Sequence, residues 1–190
     1  MLEDDGFDFI GPVTLELPSK FLIQFQRVPD AQSWYPAIYA FRIGGVVVRI
    51  GKTQKKLGKR IAQWNRDVSR ALAGDFHLGG TNPWEAFEWR RRLTEQARGE
   101  FFAQLGPADN KLLHHREREL INRYDPCLCN DTARARLRPP EARSVRDVAK
   151  AKQYWRSLNL GLAAAFPLGA TAEVVAGGGE ECRVGIEEGG

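Results

Sequence analysis

Two β-rich runs, Ala37 to Ile43 and Val46 to Ile50, meet at Gly44-Gly45, and this junction constrains the fold more tightly than any other feature. Paired glycines accept the positive φ of a two-residue hairpin turn, so the runs must fold back as antiparallel strands. Directly afterwards the apolar period changes from two to about 3.6. Leu57, Ile61, Trp64, Val68 and Leu72 form one helical stripe, with the basic residues mostly off it. A hairpin feeding an amphipathic helix calls for a layered α+β domain.

The remaining elements follow from pattern and punctuation. Thr14 to Leu17 and Phe21 to Phe25 read as short strands around a Pro-Ser turn. Gly74 to Pro83 is a loop, and Trp84, Phe87 and Leu93 predict a second helix ending near Gly99. Glu100 to Leu105 reads as a third core strand, and Asp109 to Tyr124 as a helix stopped before Pro126. Arg143 to Leu158 predicts a fourth helix with Val145, Val148, Ala149 and Trp155 inward. The expected fold is a small core of hairpin plus third strand packed with helices, with N-terminal strands and a C-terminal helix added. The expected organisation is a β-rich extension over 1–34 and a core over 35–133 with an insertion near 74–99. A basic helical extension over 134–168 and a Gly-rich, acidic, flexible tail over 169–190 complete it.

Charge distribution narrows the class of partner. The 190 residues carry a net charge of +4, but the stretch from Gly169 is acidic, so the body is more basic than the total. Lys52, Lys55, Lys56, Lys59, Arg60, Arg66 and Arg70 crowd one segment. Arg134, Arg136, Arg138, Arg143, Arg146, Lys150, Lys152 and Arg156 crowd another. Such clusters are the electrostatic footprint of a phosphate-backbone binder, and DNA is the expected partner. No apolar stretch reaches the roughly eighteen residues a membrane span needs. The N-terminus lacks an apolar signal core, and three cysteines without framework spacing suit a reducing cytoplasm. A Gly-rich phosphate loop, a nucleophile elbow and a metal-ligand cluster are all missing, which argues against a metabolic enzyme.

The third helix adds a chemical clue. Its inward stripe is Leu113, Leu120, Ile121 and Tyr124, and Glu117 falls on the same stripe while Glu119 projects away. A carboxylate on an apolar face must be paired, for instance with an arginine, or must hold a cation.

Taken in order, the chain presents Ala37-Ile38-Tyr39, then Arg49-Ile50-Gly51-Lys52-Thr53, and Arg60 on the next helix. Glu117-Arg118-Glu119-Leu120-Ile121, Tyr124, Pro126 and Asn130 follow. This order resembles the GIY-YIG nuclease superfamily, over roughly Tyr35 to Asn130. Three positions depart from it: Ala37 replaces the first glycine, Arg49 stands where the second tyrosine would be, and the gap from Pro126 to Asn130 is longer than usual. Hairpin register bears on the second. A strict two-residue turn would put Tyr39 opposite Ile50 and Arg49 on the other face, whereas a three-residue loop would bring Arg49 opposite Tyr39.

The resemblance implies a GIY-YIG-like core and a metal-dependent DNA endonuclease. Its extra length is more like a restriction-type member than a bare catalytic module. Tyr39 would take the proton of the attacking water, with Arg49 or Lys52 favouring its phenolate, and Arg60 would clamp the scissile phosphate. Glu117 would hold one divalent cation, Mg²⁺ with Mn²⁺ as a substitute, completed by waters and phosphate oxygens. Lys52, His77, His114 and Asn130 are supporting candidates. Lys55, Lys56, Lys59, Arg66, Arg143, Arg146 and Lys150 are candidates for DNA contact. Cutting both strands requires a homodimer or two successive nicks. The alternatives are a DNA-binding module without catalysis, which Arg49 favours, an RNA-binding or RNA-cleaving protein, and a repair or mobile-element nuclease acting on branched or single strands.

Overall fold

The computed structural model describes residues 1–16, 18–129 and 144–165. In chain order come β1 (Asp8–Glu16), β2 (Lys20–Ile23), β3 (Ala37–Ile43) and β4 (Val46–Thr53). Then follow α1 (Leu57–Leu72), α2 (Pro83–Gln96), β5 (Gly99–Leu105), α3 (Asn110–Tyr124) and α4 (Val148–Ala165). The strands form one antiparallel sheet ordered β2-β1-β5-β3-β4. Sheet and helices together make the α+β fold that the change of period predicts. The tail at 169–190, together with Asn130 and Arg143, lies outside the described residues.

The hairpin register combines both expectations. Gly44 and Gly45 take φ of 58° and 77°, so the turn has two residues, with Ile43 opposite Val46 and Arg42 opposite Val47. A bulge follows, after which Phe41 faces Arg49 and Tyr39 faces Gly51. Val48 is the extra residue. Its side chain is fully buried and its carbonyl accepts the Leu128 N–H at 2.8 Å, which holds the irregularity in place. Arg49 therefore lies on the Tyr39 face despite the two-residue turn.

Each face of the sheet has its own layer. Tyr39, Phe41, Ile43, Val48 and Phe101 pack beneath Trp64 of α1 and Trp89 of α2. The Phe41 ring stacks on Phe101 at 5.2 Å and meets Trp89 edge-on at 5.3 Å. On the opposite face Ile38, Ala40, Val47, Ile50 and Phe102 pack against Leu113, Leu120 and Ile121 of α3. The α1 stripe is buried at all five expected positions.

Three local expectations need correction. In α2 the buried apolar positions are Ala86, Trp89 and Leu93, while Trp84 and Phe87 are only partly buried. Asn82 caps the helix by accepting the Glu85 N–H at 2.8 Å, and this phase turns Trp89 inward. The fourth helix starts at Val148, with Asp147 accepting the N–H groups of Ala149 and Lys150. Val145 is buried but precedes the helix; Val148 packs partly buried against the core, Ala151 and Trp155 are buried, and Ala149 is exposed. β1 starts at Asp8, well before Thr14, because residues 8–13 pair with β5, a partner remote in sequence.

Both sheet edges are covered. On β2 the Ile23 N–H donates to Asn65 Oδ1 at 2.9 Å and the Phe21 N–H to Ser69 Oγ at 3.0 Å, both groups from α1. On β4 the Ile50 N–H meets Cys129 Sγ at 3.3 Å. The N-terminal turn locks α3 in a similar way. Asp5, whose side chain is 7% exposed, accepts hydrogen bonds from Tyr124 Oη at 2.6 Å and from Arg123. Burial pushes the Asp5 carboxyl up, but these bonds and the Arg116 and Arg123 charges outweigh it, leaving it below the usual aspartate range. Burial and the same carboxylate push the Tyr124 phenol up to about 12. Among the described residues no helix is long and apolar enough to cross a membrane.

Two outcomes test this packing. Trp89→Ala should cost about 3–5 kcal/mol in urea denaturation, and Trp84→Ala markedly less. A carboxyl held low in the fold stabilises above its unfolded value, about pH 4, and that contribution disappears as pH falls through its lowered folded value. Wild-type stability should therefore drop below about pH 4 more steeply than that of Asp5→Asn, read from urea midpoints against pH.

Candidate active site

The hairpin alternation divides the candidate residues between the two faces of the edge strand β4. Tyr39, Arg49 and Gly51 belong to the face under α1 and α2, whereas Lys52, opposite Ile38, belongs to the face under α3. Two clusters result, one on each side of a single strand.

The first cluster centres on the Tyr39 hydroxyl. Tyr39 is 1% exposed, and its oxygen accepts hydrogen bonds from Arg60 Nε and Trp64 Nε1, each at 3.3 Å. The ring lies across β4 at Gly51, where a Cβ would come within 2.7 Å of Tyr39 Cζ and Oη. Only glycine leaves that passage open. Arg60 also donates from Nη1 to Gln63 at 3.2 Å, and its Nη2 has no partner among the described residues.

Arg49 is held on three sides. Nη1 donates to Glu85 Oε1 at 2.9 Å and to the Leu128 carbonyl at 2.8 Å, and the guanidinium lies 4.6 Å over the Trp64 ring. Burial lowers its pKa, and Glu85, followed by Cys129, Tyr39 and Glu117, more than reverses that effect. The fields of both clusters thus meet at Arg49. Glu85 is 7% exposed and is the partner the sequence did not announce. An acidic residue three positions after an Asn cap is an ordinary helix-start signature, which conceals its pairing.

The second cluster joins β4 to α3. Lys52 Nζ lies 2.5 Å from Glu117 Oε2 and 2.5 Å from His114 Nδ1. Glu117 is 14% exposed, and its Oε1 has no partner among the described residues. Among those residues no group of three or more His, Cys, Asp or Glu could hold a metal ion. Any ion here would draw on Glu117 together with water and substrate oxygens.

His77 joins neither cluster. Its ring lies over Gly80 in the loop before α2, where an added Cβ would meet it at 2.5 Å. Lys55, Lys56 and Lys59 are exposed around the start of α1, as are Arg66, Arg146 and Lys150. A cleft of about 210 Å³ opens beside the first cluster, between α1, α2 and the loop at 79–82. Arg49, Arg60, Trp64 and Glu85 form part of its wall.

The Arg49–Glu85 pair makes a specific stability claim. Glu85→Ala leaves a largely buried guanidinium without its anion and should cost about 3–5 kcal/mol. The Arg49→Leu, Glu85→Leu double variant should be closer to wild type than either single truncation, with urea midpoints deciding.

No family model matches the chain, and no curated protein matches it. Among solved structures the chain is similar to "Restriction endonuclease HPY188I in complex with product DNA", at 12% identity and a TM-score of 0.39. The match covers 65% of this chain and 79% of that one. At that level of likeness, the chemistry rests on the geometry of the site itself.

Proposed function

We propose that this chain is a metal-dependent DNA endonuclease of the GIY-YIG type. The observation that carries the reading is the buried Tyr39 hydroxyl, held by Arg60 and Trp64 over one face of the edge strand β4, whose other face pairs Lys52 with Glu117. A phenol burdened with two donors is a poor packing choice, but it suits a group that must pass a proton and carry negative charge.

In this reading Tyr39 Oη, starting as the phenolate, accepts the proton of the attacking water and becomes the phenol. Arg60 reaches the scissile phosphate with Nη2, which has no partner among the described residues, and on leaving Tyr39 it offers Nε beside it as a planar donor pair for two phosphate oxygens. Because Arg60 also covers the Tyr39 hydroxyl, its move towards a phosphate uncovers the base where the phosphate sits. The Lys52 ammonium adds positive charge on the other side of the strand. The exposed Lys55, Lys56 and Lys59, with Arg146 and Lys150, hold the DNA backbone.

Glu117 Oε1, with no partner among the described residues, offers one hard oxygen, which fits a hydrated Mg²⁺ that takes its other ligands from water and phosphate. When bound, the ion supplies charge stabilisation at the phosphoryl oxygens. A single carboxylate fits one metal rather than two.

A second reading, a DNA-binding module without catalysis, is favoured by the closeness of Lys52 to Glu117, which fills one oxygen of the carboxylate. Supercoiled plasmid separates the two. Mg²⁺ or Mn²⁺ should support nicking or linearisation that EDTA and Glu117→Ala abolish. Tyr39→Phe and Arg60→Ala should lose about 10²–10⁴-fold in rate. Discrete fragments would identify a restriction-type specificity. Retarded but intact plasmid under both metals would sink the endonuclease and leave the binding module.

A further inference from the structure

We propose that the cleft between α1, α2 and the loop at 79–82 receives a single unpaired nucleobase from the nucleotide beside the scissile phosphate. The proposal deepens the DNA reading and depends on it for the substrate's identity.

Position comes first. Arg60 and Trp64 line the cleft and are also the two groups that hydrogen-bond the Tyr39 hydroxyl, so the cleft opens directly beside the proposed reacting atoms. A phosphate on Arg60 therefore carries its sugar and base towards this opening. The space of about 210 Å³ is large enough for one heterocycle. The base must leave its stack to enter.

The lining is wrong for a bare anion and right for a base. Arg49 and Arg60 are matched in the cleft by the carboxylates of Glu85 and Asp67, so two positive groups face two negative ones. A phosphate placed deep in the cleft would meet both carboxylates. The exocyclic amines and ring N–H groups of bases instead donate to such oxygens. Acceptors are open for them: Glu85 uses Oε1 for Arg49 and Asp67 uses Oδ1 for Arg66, leaving one oxygen of each without a partner among the described residues. A donor is open too, since Gln63 spends Oε1 on Arg60, and its Nε2 has no partner among the described residues. Arg60, lying over the Trp64 ring at 5.7 Å, adds a guanidinium plane of the kind on which splayed bases stack.

A packing account leaves these features unexplained. The Glu85 residue is 7% exposed and lines the cleft, yet one of its carboxylate oxygens has no partner among the described residues. Two carboxylates beside the phosphate clamp would also weaken a purely electrostatic grip on DNA. The preferred substrate is then DNA whose nucleotide next to the cut is already unstacked, or readily becomes so: mismatched, branched or single-stranded.

Titration of the ¹⁵N-labelled full chain, in EDTA, with each of the four deoxynucleoside 5′-monophosphates and with deoxyribose 5-phosphate tests the proposal without any cleavage. At least one mononucleotide should shift the Gly79, Gly80 and Thr81 amides and the Trp64 indole, while the base-free sugar phosphate leaves them in place. Asp67→Asn, at the rim and outside the proposed catalytic groups, should weaken the preferred nucleotide about tenfold, as losing one charged acceptor does. Thr81→Tyr, which fills the cleft, should abolish the shifts; its amide spectrum shows whether the fold is kept. Equal shifts from deoxyribose 5-phosphate would overturn the base pocket in favour of an anion site, and no shifts from any probe would remove it altogether. Binding without plasmid cleavage would sink the nuclease alone, and cleavage without these shifts the pocket alone.

Discussion

The register of the β3–β4 hairpin is the constraint on which the rest of the molecule depends. Side chains alternate along a strand, so a shift of one residue exchanges the two faces completely. Here Val48 supplies the extra residue, and the bulge brings Arg49 to the side of Tyr39 while Lys52 keeps the other side. Without it, Arg49 would be driven into the apolar layer under α3, and the Glu85 carboxylate would lose its buried cation. The bulge is held from outside the hairpin by the Leu128 N–H on the Val48 carbonyl, so the segment after α3 helps to set the register.

From that register follows a division of labour around a single edge strand. The face under α1 and α2 gathers a phenol, two guanidiniums and an indole, with Glu85 balancing the more buried cation. The face under α3 gathers an ammonium, an imidazole and a carboxylate. The β4 rim is covered at Val48 and Ile50 by Leu128 and Cys129, so the two clusters stand on opposite faces of one strand. Arg49 is held chiefly by Glu85, which together with Cys129, Tyr39 and Glu117 more than offsets the cost of burying its charge.

Each cluster is supported by parts that look purely structural. Gly51 gives the Tyr39 ring its passage, the Asn82 cap sets the phase of α2 that turns both Glu85 and Trp89 inward, and Asp5 ties α3 to the N-terminal turn. Such second contacts fix rotamers, and fixed rotamers are what allow polar groups to sit in a core at tolerable cost. The cleft beside Arg60 escapes this rule, because Gln63, Asp67 and Glu85 each keep a polar atom without a partner among the described residues.

The sequence by itself determined the elements whose signals are local. Gly44-Gly45 specified the hairpin turn through its positive φ, and the stripe from Leu57 to Leu72 specified α1 and its buried face. The inward placement of Glu117 was legible from helical spacing, and so was the grouping of basic residues around the start of α1. What only the tertiary structure decided rests on partners far apart in the chain. The early start of β1 depends on β5, the register of Arg49 on a bulge tied to Leu128, and the inward turn of Trp89 on a cap at Asn82. Glu85 gave no sign of itself, because a first-turn glutamate satisfies a helix start equally well whether it ends in solvent or against a buried arginine. Periodicity is a property of a segment and can be read along it, whereas the pairing of charges is a property of space and exists only once the segments have packed.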